Sequence, residues 1–139
     1  MNAIASYRRN RLENAPNEDI LVMLLNEAVR RELEAGICME NKDRAGWIAH
    51  IHVARAIFME LRMALDADTP PEIYNPLRNT YSWCIHHLTD VAHSGDVTKL
   101  AEIQRVTAMV EDTWTRAVKI SRGESPDEPA EGSTEESPA

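Results

Sequence analysis

Three side chains in this 139-residue chain, His86, Asp90 and His93, have donor types and spacing that could hold a metal ion. Steps of four and three residues put them on one face of a helix, close enough to share a ligand. Asp90-Val-Ala-His93 is also a carboxylate-x-x-His pair, of which a di-iron centre in a helical bundle needs two, with further carboxylates facing inward. Only one such pair occurs. The three residues point away from the apolar stripe of their own helix, so a solvated polar face explains them, with a helical-bundle metal protein as the alternative. His50 and His52 lie two apart, diverge on a helix and cannot chelate together.

Other chemistry has less support. Ser82 and Ser94 lack the strand-to-helix elbow that exposes a serine nucleophile. Cys38 and Cys84 fall inside helical patterns, as expected of buried free thiols rather than a disulfide or an activated thiolate. The five glycines, at 36, 46, 95, 123 and 132, are too scattered to cradle a phosphate. We therefore expect no enzyme, no cofactor and no resident metal.

Charge narrows the partners. The formal net charge is −8, and six of the 23 acidic groups lie between Glu124 and Glu136, beyond every basic group. Residues 1–123 are nearly balanced, with 17 acids against 15 bases, so no basic face invites nucleic acid. No apolar run is long enough to span a bilayer, and the N-terminus lacks a secretory pattern, so a cytoplasmic protein is expected.

The elements that would position any site are helices. Asn17 caps a first helix that buries Leu21, Leu24, Leu25, Ala28 and Ala35 and turns Arg30, Arg31, Glu32 and Glu34 to water. Asn41-Lys42-Asp43 makes the turn, with Asn41 left-handed and Asp43 capping a second helix that runs to about Asp66 on a stripe of Trp47, Ile51, Ala54, Phe58, Leu61 and Leu65. After Pro70-Pro71, Asn75 caps and Pro76 opens a third helix, whose stripe is Leu77, Tyr81, Cys84, Leu88 and Val91. Gly95 ends it. Asp96 caps a fourth helix, which buries Leu100, Ile103, Val106, Val110, Trp114 and Ala117, leaves Lys99, Glu102, Arg105 and Asp112 in water, and ends near Ile120. The expectation is an all-α, antiparallel four-helix bundle over residues 17–120. A short N-terminal arm precedes it over 1–16, and an acidic Pro/Ser/Glu tail follows over 121–139, too poor in apolar residues to order itself.

What these stripes leave over is apolar. Trp83 lies well off the buried stripe of the third helix, beside Asn79, His87 and Asp90. Met109 sits on the far side of the fourth. On the second, Ala49, Val53, Ala56, Met63 and Ala64, interrupted by Glu60, gather roughly opposite the core stripe. That face is either covered on both sides within the bundle or is the floor of a groove where a partner helix approaches closely. Converging exposed apolar groups suggest protein binding.

A set of spaced residues carries a family resemblance over about residues 6–120. Glu72-Ile73, Leu77, Tyr81-x-Trp83, Ile85 and Leu88, then Asp96 and Trp114, follow without a gap from Ala64-Leu65-Asp66. Upstream stand Asn41-Lys42-Asp43 and, before helix 1, Tyr7 with Ala15-Pro16. Together they resemble the flagellin export chaperone family FliS. The departures are Leu25 where the family often has Tyr, Pro16-Asn17 in place of Ser-Pro, and His86 and His87 where the family has two basic residues.

The resemblance implies a bundle that binds the C-terminal segment of newly made flagellin as helices. Bound, that segment does not polymerise in the cytosol, and it is delivered to the flagellar type III export apparatus, with an export-gate component as a second partner. In the family the N-terminal arm covers part of the binding surface. On this reading Trp83, Val53, Ala56 and Met63 form the client surface with His86 and His87 beside it, and Tyr7 and Leu12 compete for it. The free protein is expected to be a monomer or weak homodimer, and a permanently homodimeric structural adaptor using the same surface is the rival reading.

Overall fold

The computed structural model describes residues 18–127. It contains four helices in chain order, α1 (Glu18–Glu40), α2 (Arg44–Ala64), α3 (Pro71–Ser94) and α4 (Val97–Ser121). Each packs on two neighbours, α1 on α2 and α4, and α3 on α2 and α4, so they form a ring with α1 diagonal to α3 and α2 diagonal to α4. Contact is most extensive between α1 and α2 and least between α3 and α4. The all-α bundle expected from the stripes is the fold observed.

Local signals fix most helix ends. The Asp43 carboxylate accepts from the Gly46 N–H at 3.0 Å, and Asp96 accepts from Thr98 and Lys99, filling donors that the first helical turn leaves open. Gly95 takes the left-handed conformation, with φ 66°, and a Cβ there would lie 2.6 Å from the Trp47 ring. Only glycine satisfies both demands at once. Trp47 is held against that corner by its indole N–H, which donates to the Ala92 carbonyl at 3.0 Å.

The start of α3 differs from expectation. Asn75 does not cap it: Pro70 is the N-cap, with ψ 140°, and Pro71 is the first helical residue. A residue before proline is pushed to extended ψ, and a proline at the first helical position gives up no bond, so the pair starts the helix where its chemistry allows. The N–H groups of Ile73 and Tyr74 then both donate to the Pro70 carbonyl at 2.9 Å. Pro76 consequently stands inside the helix and cannot donate to the Glu72 carbonyl. Pro76→Ala is expected to raise stability by about 1–2 kcal/mol, a restored helical bond offset in part by a freer unfolded chain. Thermal unfolding tests this, and a lower Tm would mean that packing of the ring against α4 outweighs the missing bond.

Other corrections concern which residues point inward. Lys42, not Asn41, is the left-handed residue of the first turn, with φ 59°. α2 ends at Ala64, before Asp66, and Glu60 on its supposed outer face is buried. In α4, Ala117 is exposed and Val118 takes the buried place. Glu32, expected in water, is completely buried. The Asn17 cap of helix 1 lies outside the described residues.

The core is otherwise apolar, built on Leu24, Leu25, Ile51, Phe58, Tyr81, Leu88 and Ile103, with Ile57 and Ile85 buried beyond the expected stripes. The Tyr81 hydroxyl accepts from the Trp114 indole N–H at 2.9 Å, tying α3 to α4. Both cysteines are free thiols, and burial pushes the Cys84 thiol up to about 12, which leaves it unreactive.

Candidate functional site

Where α3 meets α4, the flank of α3 repeats at helical spacing as Pro76, Thr80, Trp83 and His87. α4 answers with Lys99, Glu102, Val106, Met109 and Thr113, again at steps of three and four. A shallow cavity of about 160 Å³ opens at one end of this seam, lined by Leu77, Thr80, Met109, Val110 and Trp114 among others. Met109 is 60% exposed. Trp83 and Val106 are half-buried against the core cluster. Trp114 also lines a second cavity, of about 170 Å³, with Leu21, Leu61, Leu65 and Tyr81. Apolar surface therefore continues from the seam round the N-terminal end of α3.

Trp83 is held by its neighbour one turn on: its ring and that of His87 lie 4.2 Å apart. His87 is half-buried, and its Nδ1 is buried without a hydrogen-bond partner among the described residues. Desolvation, followed by the nearby positive charges of Lys99 and His86, holds its pKa below the usual histidine value, and Asp90 and Glu102 oppose this. At neutral pH, then, the Trp83–His87 pair presents an uncharged aromatic surface. His86 is exposed and lies 3.5 Å from Asp90. Among the described residues no group of three or more His, Cys, Asp or Glu side chains is placed to hold a metal ion.

The residues singled out in the sequence fall into separate places. Trp83 and His87 face the α4 seam, and His86 faces outward beside them. Val53, Ala56 and Met63 are elsewhere. α2 meets α3 through Arg55, which donates to Thr89 at 2.8 Å, and Arg62, which donates to Ser82 at 3.1 Å. Counted at about 100° per residue, Val53, Ala56 and Met63 lie roughly 90° or more from that direction. Val53 packs half-buried against the core, Ala56 is half-buried, and Met63 is 66% exposed. The α2 set and the α3 set are therefore two patches, not one surface. Tyr7 and Leu12 lie outside the described residues.

The sequence singled out Met109 but not the rest of the α4 side of the seam, assigning Val106 to the core and Lys99 and Glu102 to water. The available signal was the regular run of Lys99, Glu102, Val106, Met109 and Thr113, which mixes charged and apolar residues as the rim of a groove does. Two further exposed apolar residues, Leu33 and Ile37, lie one turn apart on α1 and were also not singled out.

A four-helix bundle with an open apolar seam between its least tightly packed helices has the make-up of a scaffold that receives another polypeptide segment. Comparison with protein families is specific about which one. Residues 1–121 match the family described as Flagellar protein FliS, and the chain belongs to that family, which is one of flagellar export chaperones. A comparison with curated proteins found no match.

Proposed function

We propose that this chain is a cytoplasmic, non-enzymatic chaperone that binds the C-terminal segment of flagellin. It keeps that segment from polymerising and hands it to the type III export apparatus, where an export-gate component is a second partner. The observation that carries this reading is the α3–α4 seam, with Trp83 half-buried at its centre and Met109 exposed across it. A client segment with apolar residues at helical spacing buries them in such a groove and offsets the entropy lost on ordering. Trp83, His87, Leu77, Met109 and Trp114 form the main contact surface, and Val53, Ala56 and Met63 on α2 offer a second strip for a client long enough to wrap round. Tyr7 and Leu12 compete from the arm at residues 1–16. Titration with a flagellin C-terminal peptide, followed by calorimetry, tests the reading directly, and absence of binding would overturn it.

The reading also predicts a pH dependence. A histidine whose folded pKa is depressed favours its neutral form, so acidification through the range below 6.5 charges His87 at an energetic cost that rises when a client further desolvates it. Client affinity should fall several-fold between about pH 7 and pH 5.5, and His87→Phe should flatten that dependence while leaving neutral-pH binding near the parent value. A dependence retained in His87→Phe would assign it to another group.

A further inference from the structure

Three arginines of α2, Arg44, Arg55 and Arg62, lie on the flank that meets α3, at steps of eleven and seven residues. Each is held there by a neutral oxygen of α3. Arg44 donates to the His93 carbonyl at 3.2 Å and lies over the Trp47 ring, Arg55 donates to the Thr89 hydroxyl at 2.8 Å, and Arg62 to the Ser82 hydroxyl at 3.1 Å. None of the three is in an ion pair with a carboxylate of the described residues. The acids of these two helices are placed elsewhere: Glu60 is buried, Glu72 stands in the first turn of α3, and Asp90 lies 3.5 Å from His86. Each of those hydrogen bonds uses one of the five N–H donors of a guanidinium, so the forks stay open to further acceptors. Arg55 and Arg62 are half-buried, and a partly dehydrated cation without a counter-charge gains most from one. The surface beside the row is apolar. Outward from it α2 presents Ala45, Ala49, His52, Ala56, Met59 and Met63, half-buried or exposed, at alternating steps of four and three, the spacing on which a second helix packs closely. Between the row and α3 opens a cavity of about 130 Å³, lined by Ile48, His52, Arg55, Thr89 and His93 among others.

From this placement we infer that the α2–α3 groove docks an acidic amphipathic helix of a partner protein. Its carboxylates pair with Arg44, Arg55 and Arg62, and its apolar residues lie on the alanine and methionine strip of α2. The geometry specifies the partner's edge: carboxylates seven and eleven residues apart, two and three helical turns, which match roughly 10 and 17 Å along α2. A helix fits this surface better than a nucleic acid does. Three arginines spread over about 27 Å are too sparse for the phosphate spacing of a strand, and the strip beside them carries no Phe, Tyr or Trp on which bases could stack. The net charge of −8 opposes nucleic acid as well, whereas a helix with a few well-placed acids and an apolar face is selected locally. Occupancy excludes a client from the α2 strip and leaves the α3–α4 seam open. The docking does not rest on the function proposed above.

The test titrates the full chain with two synthetic alanine- and leucine-based helical peptides, one with glutamates at its positions 2, 9 and 20 and one at 2, 13 and 20, so that both helix directions are sampled. One of the two should bind, with amide shifts at His52, Arg55, Thr89 and His93 and not on the α3–α4 seam. Glutamine in place of the three glutamates should weaken binding about tenfold or more, and so should the double variant Arg55→Gln/Arg62→Gln. That variant keeps a donor for Thr89 and for Ser82, and its urea midpoint verifies that the fold is intact. Trp83→Ala should leave the affinity unchanged. Binding of neither peptide, equal affinity for the glutamine peptides, shifts centred on the α3–α4 seam, or tighter binding of a single-stranded oligonucleotide than of either peptide would overturn the proposal. Because no flagellin sequence is used and Trp83 is outside the site, failure here is separate from failure of the flagellin reading.

Discussion

Trp83→Ala is expected to weaken binding of a flagellin C-terminal peptide by about 2 kcal/mol or more, roughly 30-fold. Aromatic residues that are half-buried before binding and fully desolvated after it dominate interfaces of this kind, because their large rigid surface loses little entropy on docking. Trp83 meets both conditions: it packs against the core cluster from one side, is braced by the His87 ring at 4.2 Å, and leaves its other side open on the seam. The fold should survive. Trp83 is outside the buried stripe of Tyr81, Cys84, Leu88 and Val91, so the loss of stability is that of a partly exposed side chain, about 1–2 kcal/mol. Calorimetric titration alongside urea unfolding separates the two effects. Unchanged affinity in a cooperatively folded variant would remove Trp83 from the site, whereas Met63→Ala on the separate α2 patch should cost far less.

A second large effect is expected at Glu32, in the middle of the bundle. Its side chain is completely buried between α1 and α4, one oxygen accepts from the Thr107 hydroxyl at 2.8 Å, and the other has no partner among the described residues. Desolvation raises its pKa to about 8, opposed only by the Thr107 hydrogen bond, so the folded protein carries it as a neutral acid at pH 7. The unfolded chain ionises near the ordinary value of 4.5. Between those two values the unfolded state binds fewer protons than the folded one, so stability is greatest in acid and declines as pH rises until the folded group itself ionises. Glu32→Gln keeps an acceptor for Thr107 and removes the titration. The stability of Glu32→Gln relative to the parent should therefore climb by roughly 4–5 kcal/mol from pH 4 to pH 8.5. Urea unfolding across that range measures it. Parallel stability curves for the two proteins would show that Glu32 is not the buried acid described.

Glu32 also shows where a sequence pattern stops being informative. It stands in the run Arg30, Arg31, Glu32 and Glu34, and charge alone assigns all four to water. Its position four after Ala28 and seven after Leu25 places it equally on the buried stripe, and α4 supplies Thr107 at just that level. Nothing local in α1 reports the threonine 75 residues away. Glu60 is a parallel case on α2, buried although it interrupts the face that lies opposite the helix's core stripe. At Asn75 and Pro76 the competing local signal was stronger than the one chosen: the Pro70-Pro71 pair started the helix a full turn earlier.

The candidate site divides in the same way. Trp83 and His87 could be singled out because a helical wheel measures each residue against the stripe of its own helix. Grouping them with Val53, Ala56 and Met63 required knowing which flank of each helix meets which neighbour. The wheel does not contain that information. The hydrogen bonds from Arg55 and Arg62 to α3, and from Trp114 to Tyr81, supply it, and they set the two patches apart.

By itself, the sequence determined four helices, their order, and three of the caps, Asp43, Gly95 and Asp96. These follow from capping chemistry, left-handed geometry and apolar period, all of which act within a few residues. It also carried the spaced residues that resemble the family to which the chain belongs. Only the tertiary structure decided that Glu32 is enclosed, that the open seam lies between α3 and α4, and that Arg44, Arg55 and Arg62 meet neutral oxygens on α3. Each of those depends on how close two distant helices come and on what lies between them. Long-range packing sets that distance, and no periodicity within a single helix encodes it.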